Sequence, residues 1–132
     1  MKIYLATKHR EDHSNRPLID AISAVLASKG IACVNMARDH ERWGECHFSP
    51  KELMPLTFRE IDDSRAVIVE FSEKGVVLGI EAGYAFAKNI PVIVIAPEKA
   101  DISSTLRGIA KDVITYSSPR ELEPVVKRLL DI

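Results

Sequence analysis

The sequence predicts an α/β fold in which five parallel strands form one sheet with helices on both of its faces. Apolar runs with strand character alternate along the chain with segments whose apolar residues recur at helical spacing. One of the runs, 65–71, is almost continuously apolar, which is typical of a strand buried on both faces. Because crossovers between parallel strands are right-handed, this order favours a three-layer sandwich. A chain of 132 residues is expected to form a single domain, 1–132.

The first part of the chain predicts a strand, a helix and a second strand. Lys2–Ala6 is the first predicted strand and 31–35 the second. Between them, 17–29 has apolar residues at helical spacing. Asn15 is a candidate N-cap for this helix, and Gly30 is a natural stop after its last turn.

The middle of the chain predicts a long loop and then a helix. Residues 36–49 are polar and show no clear period, and loops of that length are often functional. The capping box Ser49-Pro50-Lys51-Glu52 predicts a helix that runs to about Asp63, with a kink or restart at Pro55. A second capping-box pattern at 118–121 predicts a last helix that ends near Leu130. The remaining elements are predicted as strands over 65–71, 90–96 and 113–116 and helices over 79–88 and 102–110.

Five strand–helix units in succession predict a flavodoxin-like, Rossmann-like strand order of 2-1-3-4-5. In that order the chain reverses direction across the sheet between the first and third strands. Open α/β sheets bind their ligands at this switch point. The order therefore brings together the loop after Ala6, the loop after Phe71 and the start of the helix that carries Glu81.

Composition and charge exclude several kinds of partner. The formal net charge of −1 gives no overall attraction to nucleic acid or to an anionic membrane. No apolar run approaches the roughly 20 residues that a membrane helix needs. Two cysteines, Cys33 and Cys46, without a secretory signal indicate a reducing compartment, and the spacing of His40, Cys46 and His47 matches no structural zinc pattern. The chain is therefore expected to be cytoplasmic and to use no metal and no cofactor.

Glu81 is the leading candidate for chemistry. It is expected at the start of a helix, at the carboxyl end of the third strand, between glycines that let backbone approach a ligand closely: Gly75, Gly79 and Gly83. Their spacing is not GxGxxG, which disfavours a dinucleotide site. Tyr4 could reach Glu81 if the first and third strands are neighbours, and it is otherwise a core aromatic. Glu81 itself could instead be a solvated first-turn residue that only favours the helix dipole.

Two further groups of residues could hold an anion. The loop after the first strand contains Thr7, Lys8 and Arg10, which offer a hydroxyl and two cations. The alternative for this loop is a solvated basic surface. Ser103 lies at the start of a short predicted helix, where an anion binds well, although a plain N-cap would also explain a serine there.

Four segments carry a family resemblance. They are IYLA near the start, D-S-x-A-V-I-V-E at 63–70, GIEAGYAFAKNIPVIVI at 79–95 and STLRG at 104–108. Together they span nearly the whole domain, and E-x-G-Y-A followed by a strand that opens with proline is the most specific of them. With these segments the chain resembles the nucleoside 2-deoxyribosyltransferase family. That family includes transferases on deoxynucleosides and N-glycosidases that hydrolyse nucleoside 5′-monophosphates.

The resemblance implies a mechanism and an assembly. Glu81 would match the nucleophile that attacks C1′ of the sugar, and Tyr4 would match the tyrosine that orients it. The reaction would pass through an oxocarbenium-like transition state and a glycosyl-enzyme, as in retaining glycosidases. Arg10 would match a residue of the phosphate-binding loop. Ser103 would match a serine that reaches the phosphate from a neighbouring subunit, which implies a dimer at least.

The chain departs from the family at two positions. Thr57 stands where the family usually carries an aspartate that protonates or positions the base. Glu60, one turn further along, or Asp62 could substitute for it. Gly75 stands where the transferases have an aspartate and the monophosphate hydrolases tend to have a serine.

We therefore expect cleavage of the N-glycosidic bond of a nucleoside or its 5′-monophosphate, by hydrolysis or by transfer to another base. Lys8, Arg10 and Ser103 favour a phosphate and so the hydrolase. The small molecule is the expected partner, and the chain is expected to form a homo-oligomer. The expected substrate-binding residues are Thr7, Lys8, Arg10, Gly75, Gly79 and Ser103. The alternative is a nucleotide or nucleotide-sugar binding module that keeps the fold without catalysis. A phosphotransfer receiver is disfavoured. It would need an acidic cluster at the end of the first strand, and Ala6 and Thr7 stand there instead.

Overall fold

The computed structural model describes residues 1–131 as one five-stranded parallel sheet between two layers of helices. The strand order is β2-β1-β3-β4-β5, and every neighbouring pair is parallel. The α/β class and the predicted order 2-1-3-4-5 are confirmed. The strands are β1 (Lys2–Ala6), β2 (Ala32–Val34), β3 (Ala66–Glu70), β4 (Val92–Pro97) and β5 (Asp112–Tyr116).

Helices cover both faces of the sheet because side chains on successive strand positions point to opposite sides. The described helices are α1 (Arg16–Ala27), α2 (Met36–Asp39), α3 (Pro50–Asp62), α4 (Val76–Ala87), α5 (Ser104–Ile109) and α6 (Glu123–Leu130). One core packs Ile3, Leu5 and Ile68 against α1 and α6. The other packs Tyr4, Val67 and Val69 against α3, α4 and α5. None of the helices within residues 1–131 has the length and apolar character needed to cross a membrane.

The segment 36–49 was predicted to be a loop, and that prediction is wrong. It contains α2 and a short 3-10 turn at Arg42–Gly44. Asn35 caps α2 by accepting a hydrogen bond from the backbone N–H of Arg38 at 3.2 Å. The helix is only four residues long, so it leaves no apolar period in the sequence.

Two predicted helix starts differ from the structure. Asn15 precedes α1 but makes no side-chain cap; its amide donates to the carbonyl of Lys8 at 2.9 Å instead. The capping box at Ser49 does form, and α3 continues through Pro55 to Asp62. The second pattern forms no box, because the Glu121 carboxylate accepts from Ser117 rather than from Ser118. Residues 119–121 are a 3-10 turn, and α6 begins after it.

The most consequential difference concerns α4. The helix was expected to begin at Gly79, but it begins at Val76, with Gly75 as an extended N-cap. Glu81 is therefore in the second turn, on the side that packs against the sheet, and only 4% of it is exposed. The alternative of a solvated first-turn glutamate is wrong.

Candidate active site

Glu81 is a buried acid at the switch point of the sheet. β1 and β3 are neighbours, with Tyr4 opposite Val67, and α4 packs over them. Burial in this apolar layer raises the pKa of Glu81 from 4.5 to about 7, and the Tyr4 hydroxyl acts in the opposite direction. Within residues 1–131 its Oε2 is buried and has no hydrogen-bond partner.

The Tyr4 phenol approaches the Glu81 carboxylate, as the sequence predicted. Tyr4 is 1% exposed. Burial is the largest cause of its raised pKa, and the neighbouring charge of Glu81 is the second. The two groups lie close enough for each to shift the pKa of the other. Even so, the contact leaves Oε2 of Glu81 without a partner within the described part of the chain. The pair therefore keeps hydrogen-bonding capacity that the protein does not use.

A cavity of about 350 Å³ opens beside this pair. Its walls come from β1, the start of α2, α3 and α4, and they are mostly apolar. A cavity of this size suits a small ligand such as a nucleoside, and such sites are commonly apolar with a few placed polar groups. The lining residues are Tyr4, Leu5, Thr7, His9, Asn35, Met36, Ala37, Glu41, Phe48, Pro50, Leu53, Met54, Thr57, Val77 and Glu81.

Thr57, which the resemblance aligned with an aspartate of the family, lines this cavity. It is buried, and its hydroxyl donates to the carbonyl of Leu53 at 3.0 Å. A threonine hydroxyl has one hydrogen to donate, and here it is already used. Thr57 therefore supplies shape to the cavity and no proton.

The two residues named as substitute acids do not line the cavity. Glu60 accepts a hydrogen bond from the ammonium of Lys2 at 3.2 Å and lies 3.5 Å from His40. Asp62 is exposed and accepts from the hydroxyl of Tyr84 at 2.9 Å. Both carboxylates on α3 therefore have partners that lie outside the cavity lining.

The predicted anion-binding loop divides between two hollows. Thr7 lines the Glu81 cavity and accepts a hydrogen bond from the Asn35 amide at 3.0 Å. Lys8 and Arg10 line a neighbouring hollow of about 280 Å³. There the Lys8 ammonium lies 3.5 Å from the carboxylate of Glu73, and Arg10 forms an ion pair with the same carboxylate. The two cations are together, as expected, but they already hold an anion.

Gly75, Gly79 and Ser103 line a third groove, of about 500 Å³, between the start of α4 and α5. Ser103 is the N-cap of α5 and accepts from the backbone N–H of Leu106 at 3.4 Å. A Cβ added at Gly75 would lie 3.6 Å from Cγ of Lys8, which is ordinary contact, so the position has room for a side chain. In a single chain this group is separate from the cavity beside Glu81.

A second buried acid shows what a satisfied carboxylate looks like in this fold. Glu70, at the end of β3, accepts hydrogen bonds from the Ser72 hydroxyl at 2.7 Å and the Tyr116 hydroxyl at 3.0 Å. Burial raises its pKa, and these donors counteract the rise. Buried polar groups in proteins are nearly always paired in this way. The unpartnered oxygen of Glu81 is therefore the exception that points to a ligand.

Sequence reasoning missed several lining residues, among them His9, Asn35, Glu41, Phe48 and Met54. Asn35 could have been found, because it directly follows β2, the strand that pairs with β1. The others lie in segments without a period or motif. Within residues 1–131 no group of three His, Cys, Asp or Glu side chains could hold a metal ion, and Cys33 and Cys46 are free thiols.

Several solved structures have the same fold as this chain. The CMP N-glycosidase BcmB from Clostridium botulinum matches with a TM-score of 0.70 at 19% identity, covering 100% of both chains. A 2-deoxyribosyltransferase from Bacillus psychrosaccharolyticus matches with a TM-score of 0.70 at 16% identity, covering 93% of this chain and 90% of the other. This chain has the fold of 2-deoxyribosyltransferases and N-glycosidases.

A conserved protein from Enterococcus faecalis also matches, with a TM-score of 0.76 at 15% identity over 97% of this chain and 98% of that one. At identities of 15–19%, what this chain shares with these three proteins is the fold. No protein-family model and no curated protein sequence matches the chain.

Proposed function

We propose that this protein cleaves the N-glycosidic bond of a nucleoside or deoxynucleoside, or of its 5′-monophosphate, with Glu81 as the nucleophile. The observation that carries the proposal is a buried carboxylate in a cavity of about 350 Å³, with an oxygen that has no partner in residues 1–131. An unpaired buried oxygen calls for an explanation, and a ligand in the cavity supplies one. The glycosyl-transfer enzymes that share the fold support the same class of reaction.

In the proposed reaction the ionised Glu81 carboxylate attacks C1′ of the sugar. The C1′–N bond breaks, and its electron pair leaves with the base through an oxocarbenium-like transition state. The departing base takes up a proton from solvent. Water then attacks C1′ of the glycosyl ester and loses a proton to solvent, which releases the sugar and restores the carboxylate. Tyr4 positions the carboxylate from the neighbouring strand. Because the pKa of Glu81 is raised to about 7, kcat/KM is expected to rise with pH through this value as the carboxyl ionises.

We propose that a substrate phosphate binds where Lys8 and Arg10 hold Glu73. A phosphate offers the same kind of acceptor as a carboxylate and more charge, so it would displace Glu73 from the two cations. Gly75 leaves the N-terminus of α4 without a side-chain cap, close to Lys8, and the free backbone N–H groups there favour an anion. These features favour a monophosphate hydrolase over a nucleoside transferase.

We further propose that the active form is a homodimer. Ser103 lines a groove separate from the Glu81 cavity, so a contact between Ser103 and the substrate requires a second copy of the chain. On α4, Val76 and Ile80 are 80% and 45% exposed, and exposed apolar patches commonly mark interfaces. Light scattering should report a dimer for the wild type and a monomer for Ile80→Glu. A monomeric wild type would contradict this part of the proposal.

The decisive experiment is release of free base from nucleosides, deoxynucleosides and their 5′-monophosphates. The wild type should release base from at least one of them, and Glu81→Gln should not, because an amide is a poor nucleophile. Glu60→Gln is the matched control: Glu60 also acts on the Tyr4 phenol but does not line the cavity, and its variant should retain activity. Base release by Glu81→Gln at the wild-type rate would contradict the proposed mechanism.

One observation favours a second function, a nucleotide-binding module without catalysis. Thr57 replaces the expected acid, and its hydroxyl is used by Leu53. General acid–base help is worth about 10²–10⁴-fold, so a protein without it could bind substrate and leave it intact. Such a module would gain thermal stability with a nucleoside or nucleotide and release no base.

A further inference from the structure

The cavity beside Glu81 has two chemically different sides. Tyr4, Thr7 and Glu81 come from β1, its following loop and α4, and they surround the place where C1′ would react. The other side comes from residues 36–54 and is largely apolar: Met36, Ala37, Phe48, Pro50, Leu53 and Met54. The faces of a nucleobase pack well against such side chains. Among the residues 36–54 that line the cavity in the described part of the chain, Glu41 is the charged one.

Most polar side chains around the cavity have already used their donors. The Asn35 amide donates to the Leu5 carbonyl and to the Thr7 hydroxyl oxygen, both at 3.0 Å. Thr57 donates to Leu53. By contrast, no hydrogen bond or ion pair engages the Glu41 carboxylate within the described residues 1–131. Glu41 lines the cavity, and its charge acts on the Tyr4 phenol.

The backbone holds Glu41 in a fixed place. Its N–H donates to the carbonyl of Met36 at 2.9 Å, and its carbonyl accepts from the N–H groups of Gly44 at 3.0 Å and Cys46 at 2.9 Å. A side chain on such a turn is presented to a ligand with little loss of freedom on binding.

The two residues after Glu41 show that this turn is held by its surroundings. Arg42 and Trp43 have φ angles of 48° and 55°, a left-handed conformation that costs free energy for residues other than glycine. The Trp43 ring packs edge-on against the His13 ring at 5.6 Å, and the Arg16 guanidinium lies 4.9 Å from the ring centre. These contacts join the turn to the loop after β1 and stabilise the strained backbone.

We propose that Glu41 selects the base: its carboxylate accepts a hydrogen bond from an exocyclic amino group, so the site prefers cytosine and adenine to uracil and hypoxanthine. The inference rests on the proposed function, since it concerns the same cavity. An ionised carboxylate has acceptors and no donor. Cytosine and adenine present an amino donor where their counterparts present a carbonyl oxygen. An oxo base would therefore face Glu41 with two acceptors opposed, and this repulsion discriminates as much as the attraction does.

The test compares substrates that differ in one group. We would measure kcat/KM at pH 8 for cytidine against uridine and adenosine against inosine, as ribosides, deoxyribosides and 5′-monophosphates. Hydrogen bonds to charged groups predict a preference of about tenfold or more for the amino base. Glu41→Gln should bring the ratio close to one, because an amide offers both a donor and an acceptor. Glu45→Gln is the matched control: Glu45 is an exposed glutamate four residues further along, outside the described cavity lining, and its variant should keep the wild-type ratio.

Equilibrium binding of the same pairs, followed by calorimetry, separates this inference from the proposed function. Base release without discrimination would overturn the role of Glu41 and leave the reaction standing. A binding preference for the amino base that Glu41→Gln abolishes, without any base release, would support Glu41 and overturn the reaction. Equal binding of the amino and oxo members of each pair, or no binding of any of them, would overturn the inference.

Discussion

Replacing Glu81 with glutamine should stabilise the protein, and the gain should grow with pH. In the folded chain the pKa of Glu81 is raised from 4.5 to about 7 by burial, so the folded state keeps a proton that the unfolded state loses. The folded state therefore binds more protons between these two values, and the stability of the wild type falls as pH rises through this window. Below about pH 4.5 the carboxyl is neutral in both states and this cost is absent.

The magnitude follows from the two pKa values. Ionising this carboxyl in the folded interior costs about 3 kcal/mol above pH 7, of which about 2–3 kcal/mol appears between pH 5 and pH 8.5. Glutamine has a similar shape and no ionisation. The free energy of unfolding of Glu81→Gln should therefore exceed that of the wild type by about 2–3 kcal/mol more at pH 8.5 than at pH 5.

Urea denaturation at the two pH values measures this difference directly, provided that the slopes with denaturant agree. Glu98 is exposed and offers the matched control, since Glu98→Gln takes no carboxylate out of the interior. A stability difference for Glu81→Gln that is the same at pH 5 and pH 8.5 would refute the claim that this carboxyl is desolvated. In that case the wild-type Glu81 would not be a residue that lowers stability for the sake of activity.

Three further predictions concern other parts of the molecule. Glu73→Gln removes the anion from the two cations of the neighbouring hollow and should lower KM for a 5′-monophosphate while leaving KM for the nucleoside unchanged. Ser49→Ala removes the capping box of α3 and should lower the free energy of unfolding by about 1 kcal/mol in urea titrations. Tyr116→Phe takes one donor from the buried carboxylate of Glu70 and should cost about 1–3 kcal/mol, also measured in urea, without altering base release.

The sheet was predictable because its signals are local and continuous. Runs such as AVIVE in β3 are apolar throughout, and their alternation with helices restricts the topology to a few choices. Helix boundaries were harder to predict. Gly79 suggested a helix start, but the three apolar residues from Val76 onward already belong to α4, which follows the extended N-cap Gly75. In that position a glycine lies on the exposed side of the helix.

The cavity could be predicted only in part. Glu81 and Tyr4 could be placed together from the predicted strand order, which made β1 and β3 neighbours, as the structure has them. Glu41 and Phe48 could not be placed, because the turn that presents Glu41 depends on left-handed residues and on contacts with a distant loop. The ion pairs of Glu73 were missed for the same reason: pairing across loops leaves no trace in residue spacing.

The helix α4 has opposite characters on its two sides, with the buried carboxyl of Glu81 inward and the bare apolar side chains of Val76 and Ile80 outward. Burial of the outer side chains in a complex would hold in place the same helix that carries the proposed nucleophile. The same helix would then serve both catalysis and assembly. Dilution would dissociate such a complex and expose Val76 and Ile80 to water again. The turnover per molecule would then fall, even with saturating substrate.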